Sequence, residues 1–301
     1  MIQVLQKPLH RLFSRRSDLE REPFQWYLLL GRAPLETLRS PDVSALTPIY
    51  PPSDRFWADP FLWRQGGETF VFFEEYPFAT RRGHISAMAI DAFGQPLGDS
   101  KPLLQEPYHL SYPYLFAFGD DLYMVPEKKA VRCVDLYRCT RFPDRWEKVR
   151  TLFKGPRMVD STLFEYEGRW WLFCSVKGQG IRYDESLFAY YTDHPIEGDW
   201  LPHPLNPLVR DFALGRSAGR VIKDPGGRLL RPSQDCTGHY GAGLNLSEII
   251  TLTPSAYEEK RIWHRRGEET PGVLGLHHLD WHEGLLVMDA QRQRPKAQAL
   301  D

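Results

Sequence analysis

Asp59-Pro-Phe-Leu-Trp63, the turn pair Gly66-Gly67 and Thr69-Phe-Val-Phe-Phe-Glu-Glu75 read together as one β-hairpin: an apolar run, a turn opened by glycine, and a second run rich in aromatics. The unit recurs along the chain. Tyr112-Pro-Tyr-Leu-Phe116, Gly119-Asp-Asp121 and Leu122 to Glu127 form a second copy; Asp160-Ser-Thr-Leu-Phe164, Gly168 and Arg169 to Ser175 form a third. A fourth runs through Ala218-Gly-Arg-Val-Ile222, Asp224-Pro-Gly-Gly227 and Arg228 to Pro232, and a fifth through His277-His-Leu-Asp-Trp281, Glu283-Gly284 and Leu285 to Ala290. Their first residues fall 53, 48, 58 and 59 positions apart, a period that suits a propeller blade.

Further strand-like sequence follows the first four hairpins, at His84 to Ile90, Val134 to Cys139, Ser186 to Tyr191 and Asn245 to Leu252. Fourth-strand candidates lie around Lys101 to Leu104 and Trp146 to Phe153. The fifth hairpin is followed only by a polar tail, whereas Phe24-Gln-Trp-Tyr-Leu-Leu-Leu30 precedes the first hairpin with no blade of its own. It is therefore expected as the outer strand of the last blade, closing the ring and covering an edge. The expected fold is all-β, a five-bladed β-propeller over residues 22–294, with a lead-in at 1–21 that is partly helical and a tail at 295–301. A β-sandwich also gives short strands and turns, but it does not explain five like hairpins.

The composition fits this fold. The 301 residues are 42% hydrophobic and 13% aromatic, with 25 Pro and 23 Gly, enough apolar material for a large core and many turns. With 38 Lys+Arg against 39 Asp+Glu the net charge is -1, so bulk electrostatics do not recruit nucleic acid. Trp26 to Leu30 and Trp170 to Cys174 fall far short of the roughly 20 apolar residues of a transmembrane helix. Met1 to Arg16 mixes Leu5, Leu9, Leu12 and Phe13 with Lys7, Arg11, Arg15 and Arg16; it lacks a secretory apolar core and reads as a solvated lead-in or a basic amphipathic helix. Cys133, Cys139, Cys174 and Cys236 show neither zinc spacing nor a disulfide framework, which points to a cytoplasmic protein.

In a propeller the first strand of each blade lines the channel and the second runs antiparallel to it, so first-strand starts and second-strand ends share one face. That face collects Asp59, Tyr112, Asp160 and His277 from the starts, and Glu74, Glu75, Glu127, Ser175, Gln234, Asp235 and Asp289 from the ends. Carboxylates on different blades can flank a glycosidic bond, one as base on water and one as acid toward the leaving oxygen. Asp59, Asp160 and Glu127 are the catalytic candidates, Glu127 as the acid because its apolar neighbours disfavour charge. Arg216, Arg220, Arg231, Gln234, Asp235 and Tyr240 offer guanidinium, amide, carboxylate and phenol groups for a sugar, and an Arg-Asp brace between blades is the alternative for Arg220. Trp57, Tyr76, Tyr108, Tyr112 and Tyr114 are candidates for a stacking platform, and Glu75 and His278 for further substrate contacts; His277 or His278 is a candidate metal ligand or general acid, with His277 named for the metal. No Walker loop, dinucleotide fingerprint or Gly-x-Ser-x-Gly elbow is present, so nucleotide-dependent and serine-esterase chemistry is not expected.

Phe56-Trp-Ala-Asp-Pro-Phe61, Ser111-Tyr-Pro-Tyr114, Val125-Pro-Glu127, Val159-Asp-Ser-Thr-Leu-Phe164, Arg216-Ser-Ala-Gly-Arg220, Arg231-Pro-Ser-Gln-Asp235 and Gly275-Leu-His277 together resemble the N-terminal propeller domain of the glucosamine inositolphosphorylceramide transferase family. In that family the resemblance assigns transfer chemistry to a separate domain. More distantly the chain is similar to glycoside hydrolase family 43, whose pattern implies a base Asp on blade one, matched by Asp59, a pKa-tuning Asp on blade three, matched by Asp160, and an acid Glu on blade four. The Ser217 to Arg220 stretch stands in that last place. The same resemblance implies that no cofactor is required and that calcium can sit in the channel beside His277 or His278. Two functions follow as expectations: a glycosidase-like site acting on a glycan or glycolipid precursor in polysaccharide metabolism, or a sugar-binding module serving a partner glycosyl- or formyltransferase.

Overall fold

The computed structural model describes residues 23–178 and 180–295, so the expected lead-in at 1–21 and residues 296–301 of the tail lie outside the described residues. Five antiparallel sheets form a five-bladed propeller. Blade one is Arg55–Gln65, Glu68–Pro77, His84–Ile90 and Lys101–Leu104. Blade two is Ser111–Phe118, Asp121–Glu127, Cys133–Arg141 and Arg145–Lys154. Blade three is Arg157–Tyr166, Arg169–Lys177, Ser186–Thr192 and the short Leu201–Pro202, with Val209–Arg210 pairing the start of its third strand.

Blade four departs from the expected pattern. Its innermost strand is only Ile222–Lys223, supplemented by a bridge from Ser217 to Ser233, before Leu229–Asp235 and Gly243–Thr253. Its outer strand, Ala256–Arg266, was not expected. The run Glu258-Glu-Lys-Arg261 hides any apolar alternation there, and charge on an outer strand protects its edge from pairing with another chain.

Blade five joins the two ends of the chain. Gly275–His282 and Leu285–Gln293 are followed in the sheet by Phe24–Arg32, which pairs along its length from Phe24 opposite Gln293 to Arg32 opposite Leu285. The N-terminal strand does close the ring, but it is third in the blade; Thr47–Ile49 is the outer strand, with Ile49 opposite Leu28. The reason is burial. Gln25 through Gly31 are all buried, so this strand needs cover on its faces and its edge alike.

The core lies between blades. Phe61, Phe72, Tyr114, Leu115, Met124 and Leu163 knit blades one to three; Leu28, Leu62, Phe73 and Val287 join blades five and one. Phe173, Leu187 and Leu229 join three to four, and Leu244, Leu276 and Met288 four to five. Each such side chain contributes about 1.5–3 kcal/mol when fully buried.

At one level of the ring the innermost strands lose their regular pairing. Register breaks fall between Ala58 and Phe61, Ser111 and Tyr114, Val159 and Thr162, and Leu276 and His278. Asp59, Tyr112 and Asp160 take φ of 52°, 46° and 55° there, and Gly219 takes 133° in blade four. Left-handed backbone at non-glycine residues costs about 1–3 kcal/mol each and clusters at functional sites. A bulge of this kind re-aims the side chain it carries, and here it turns Asp59, Tyr112 and Asp160 toward one channel.

Candidate active site at the channel mouth

Blades five and one meet in a carboxylate-imidazole-carboxylate row. His277 Nδ1 lies 2.7 Å from Asp289 Oδ1, and His277 Nε2 lies 3.3 Å from Asp59 Oδ1. Asp289 is anchored by backbone N–H donors from Asp59 (2.9 Å), His277 (3.2 Å) and His278 (2.9 Å). Burial works against the charge on His277, but the two carboxylates outweigh it and raise its pKa to about 10. Burial likewise pushes the Asp59 carboxyl up, yet its hydrogen bond and charge interaction with His277 leave it below the ordinary carboxylate range. Asp59 is therefore an ionised acceptor beside a cationic imidazole, and its Oδ2 also accepts from the Tyr112 N–H at 3.2 Å.

Blades two to four supply a second group. Arg216 Nε donates to Asp160 Oδ2 at 2.8 Å and Arg216 Nη1 to Asp184 Oδ1 at 2.9 Å, while the guanidinium sits 4.8 Å from the Tyr240 ring centre. Glu127 Oε2 accepts from the Asp160 N–H at 3.3 Å. Burial, and then the negative charge of Asp160, push the Glu127 carboxyl up to about 8 despite Arg216 and Lys129. Asp59 also acts on Glu127 in the same direction, so the three expected catalytic carboxyls belong to one electrostatic cluster. At neutral pH it holds an ionised acceptor, Asp59, and a proton donor, Glu127.

The floor of the site is polar but sealed. The Tyr112 hydroxyl lies 2.7 Å from Thr162 Oγ1 and accepts from the Gly219 N–H at 3.0 Å. Below it Arg220 Nε donates to Asp280 Oδ1 at 2.9 Å and Nη1 to the Leu115 carbonyl at 2.8 Å, and the Leu62 N–H donates to Asp280 Oδ2 at 2.7 Å. Arg220 thus braces blades one, two, four and five across the channel.

Other expected residues are placed as follows. Trp57 packs on Phe73 in the layer between blades five and one, 6% exposed. Glu75 points away from the channel to Arg55 and Ser100. Arg231 is buried against Glu259, with contacts of 2.6 and 2.7 Å, and the Leu214 carbonyl. Gln234 donates to the Ser217 carbonyl, and Asp235 is held by Thr237, His264 and Arg266. His278 is fully buried between the rings of Phe61 and Tyr112, and neither of its ring nitrogens has a hydrogen-bond partner. Tyr240 is 44% exposed at the mouth, its ring 5.3 Å from that of His277. Tyr240 also lines a cleft of about 490 Å³ with Arg182, Asp184, Phe212 and Cys236. A more enclosed cavity of about 350 Å³, lined by Arg32, Arg64 and His282, lies at the hairpin-turn end of blades five and one and holds none of these groups.

The residues around His277 do not fit a resident calcium ion. One ligand atom each from Asp59, His277 and Asp289 lie within 4.8 Å of one another. Both imidazole nitrogens already face carboxylates, however, Nδ1 at 2.7 Å from Asp289 and Nε2 at 3.3 Å from Asp59. Calcium takes six to eight oxygens, and the oxygens here are engaged by His277 and by backbone N–H groups.

Glu74 and Asp289 were expected on this face but were given no role, and His109, Asp184 and Trp26 were not among the expected site residues. Trp26 packs 4.2 Å from the His277 ring, and Glu74 Oε1 lies 3.3 Å from His109 Nε2. Asp289 and Glu74 sit at second-strand ends, which is the signal that marks Glu127; Asp184 and His109 lie in connections with no periodic pattern.

The five-bladed propeller is a class of fold also seen in glycoside hydrolase structures. The catalytic domain of an α-L-arabinofuranosidase from Coprinopsis cinerea aligns over 92% of this chain and 99% of its own at a TM-score of 0.59 and 12% identity. An α-L-arabinofuranosidase from Podospora anserina aligns over 79% and 91% at 0.58 and 12%. At that identity the likeness concerns the fold. Residues 44–283 match the family model described as glucosamine inositolphosphorylceramide transferase 1, N-terminal, and the chain belongs to that family. Glucosamine inositolphosphorylceramide transferase 1 of Oryza sativa subsp. japonica is 34% identical over 304 residues, covering 93% of this chain and 39% of the relative. Its Arabidopsis thaliana counterpart is 35% identical over 236 residues, covering 75% and 30%. The chain thus spans less than half the length of these curated relatives. Among the described residues no helix is long and apolar enough to cross a membrane.

Proposed function

We propose that this protein is a carbohydrate-active propeller whose channel mouth acts on the glycosidic bond of a glycan or glycolipid precursor in polysaccharide metabolism. The observation that carries the reading is the gathering of two carboxyls with opposed surroundings in one cluster, Asp59 3.3 Å from His277, which pulls it down, and Glu127 on the Asp160 N–H, where burial and Asp160 push it up. In hydrolysis Asp59 takes a proton from water as its oxygen bonds to the anomeric carbon. Glu127 gives its proton to the departing oxygen as the old C–O bond breaks. Arg216 holds Asp160, and Tyr240 offers its exposed ring to a sugar face. The substrate class is suggested by the names of the relatives, glucosamine inositolphosphorylceramide transferases. A cytoplasmic setting agrees with four free cysteines.

The test is product release from a panel of glycosides and glucosamine-containing glycolipids. Asp59→Asn and Glu127→Gln should each lower turnover by about 10²–10⁴-fold while the protein stays folded. Either variant turning over at the wild-type rate overturns the mechanism.

One observation favours a second reading, a sugar-binding module that presents substrate to a partner glycosyl- or formyltransferase. At the bulge level blade four offers Gly219, where a Cβ would run into the Leu279 carbonyl oxygen, so no acid side chain projects from that position. Saturable binding of a sugar with no product under any condition supports this reading, and cleavage excludes it.

A further inference from the structure

Blade register gives Glu127 a twin. In blade one Phe61 pairs with Phe72, in blade two Tyr114 pairs with Val125, and in blade three Thr162 pairs with Phe173. Two residues further along the second strand stand Glu74, Glu127 and Ser175, opposite Ala58, Ser111 and Val159, each of which precedes the left-handed residue of its blade. Glu74 thus occupies in blade one the position that Glu127 occupies in blade two.

Its surroundings suit a neutral carboxyl. Glu74 is 6% exposed and, among the described residues, is seen in no ion pair with arginine or lysine, in contrast to Glu75 on Arg55 and Asp160 on Arg216. Its Oε1 makes no completed hydrogen bond. His109 Nε2 lies 3.3 Å from that atom. The tautomer of His109 is fixed by its other nitrogen: Nδ1 accepts from the Gly83 N–H at 3.0 Å, so the proton of the neutral ring is on Nε2, facing Glu74. Burial, with Lys129 nearby, keeps His109 neutral. Gly83 makes the approach possible, since a Cβ there would sit 2.6 Å from Glu74 Oε1 and 2.9 Å from His109 Cε1. The titratable groups facing Glu74 from the other elements are Asp59, Asp289 and, once ionised, Glu127, which oppose its ionisation, and His277, which favours it; burial and the carboxylates prevail.

We infer that Glu74 is a neutral carboxylic acid that donates its proton, from the oxygen turned away from His109, in a hydrogen bond to an acceptor oxygen of the bound sugar. His109 is a positioning residue: its Nε2 N–H faces the carbonyl-side oxygen at 3.3 Å, so that the other oxygen keeps the proton. The inference rests on sugar binding, which both readings above share, and it does not require turnover. It also sets a preference: the group at Glu74 must be an acceptor such as a ring, ether or amide carbonyl oxygen, because the neutral acid donates there.

Two measurements test it. Infrared spectra of the full-length protein at neutral pH should show absorption from protonated carboxyl groups, with one component lost in Glu74→Gln and another in Glu127→Gln. His109→Phe should keep the Glu74 component but shift its frequency, because the carbonyl-side oxygen loses its donor. Calorimetric titration with glucosamine, N-acetylglucosamine and arabinose should show the tightest-binding sugar losing about tenfold in affinity in Glu74→Leu, while Glu74→Gln, which still donates, stays near wild type. Wild-type affinity should fall on the alkaline side and this fall should shrink in Glu74→Gln. An unchanged spectrum in Glu74→Gln, or full affinity in Glu74→Leu, overturns the inference alone. If none of the three sugars binds the wild-type protein, sugar recognition itself is overturned and this inference with it.

Discussion

Replacing Glu127 by Gln should make the protein more stable at alkaline pH and leave it little changed in acid. Gln has the shape and hydrogen-bonding pattern of the neutral acid but cannot ionise. The folded protein holds the Glu127 carboxyl at about 8 against an ordinary 4.5. The native state therefore binds more protons than the unfolded chain throughout that interval, and stability must fall as pH rises through it. At about 1.4 kcal/mol per tenfold change in acidity the gap is worth roughly 5 kcal/mol. That figure is an upper one, since water at the channel mouth screens the repulsion, and a loss of about 2 kcal/mol or more is the expected reading. Urea unfolding from pH 4 to 9 measures it. Wild type and Glu127→Gln should run together near pH 4, diverge between about 4.5 and 8, and run parallel above that with the variant more stable. Two curves that stay parallel across the whole range, or a wild type that gains on the variant with rising pH, would refute the claim that burial and Asp160 hold this proton.

Other changes should act on the frame around the site. Gly219→Ala puts a Cβ against the Leu279 carbonyl at a φ of 133°, and should cost about 3 kcal/mol or more in urea unfolding, from backbone strain and overpacking together. Arg231→Met leaves Glu259 without its cationic partner, with only the Tyr257 hydroxyl still donating to it, at a site where Arg231 is 1% exposed; the loss should be about 3–5 kcal/mol, with sugar affinity unchanged in calorimetry. Calcium chloride at constant ionic strength, and likewise EDTA, should leave the thermal midpoint where it is, because His277 is committed to Asp59 and Asp289; a midpoint that climbs with calcium contradicts this.

The blades were legible because a hairpin with a glycine turn is a local signal that repeats, and each repeat carries its own apolar alternation. Ala256–Arg266 was not, because an outer strand buries little and its charges mask the period. The position of Phe24–Arg32 within blade five was misjudged because it depends on Thr47–Ile49, three residues whose pairing is set by distant contacts. Within the site, Asp59 and Asp160 stand at first-strand starts that the hairpins mark directly. Glu74 and Glu75 are adjacent, and alternation sends one to the channel and the other to Arg55. Which of them faces inward depends on the register break between Ala58 and Phe61, and an extra residue in a strand leaves no mark in the order of residue types. His109 is further out of reach, since it is placed by the Gly83 backbone rather than by a strand.

The bulge ring also accounts for the departure of blade four from the glycoside hydrolase pattern. Three blades carry a side chain at the left-handed position, and the ring holds them apart far enough for Asp59, Tyr112 and Asp160 to share the channel. At Gly219 the backbone instead closes on the neighbouring blade: its N–H donates to the Tyr112 hydroxyl, its carbonyl accepts from Thr162, and the Leu279 carbonyl takes the space of a Cβ. An acid at this position would break the seal that Tyr112 and Thr162 make across the channel. Proton donation must then come from other blades, and burial can hold a proton only on a carboxyl with no committed cation. Asp160 is ion-paired to Arg216, and Asp59 lies against His277. Glu127 and Glu74, one behind each of the first two bulges, are the carboxyls of the cluster that meet the requirement. Under the function proposed above, the donors of this site lie on blades one and two, opposite the place where the hydrolase resemblance puts one.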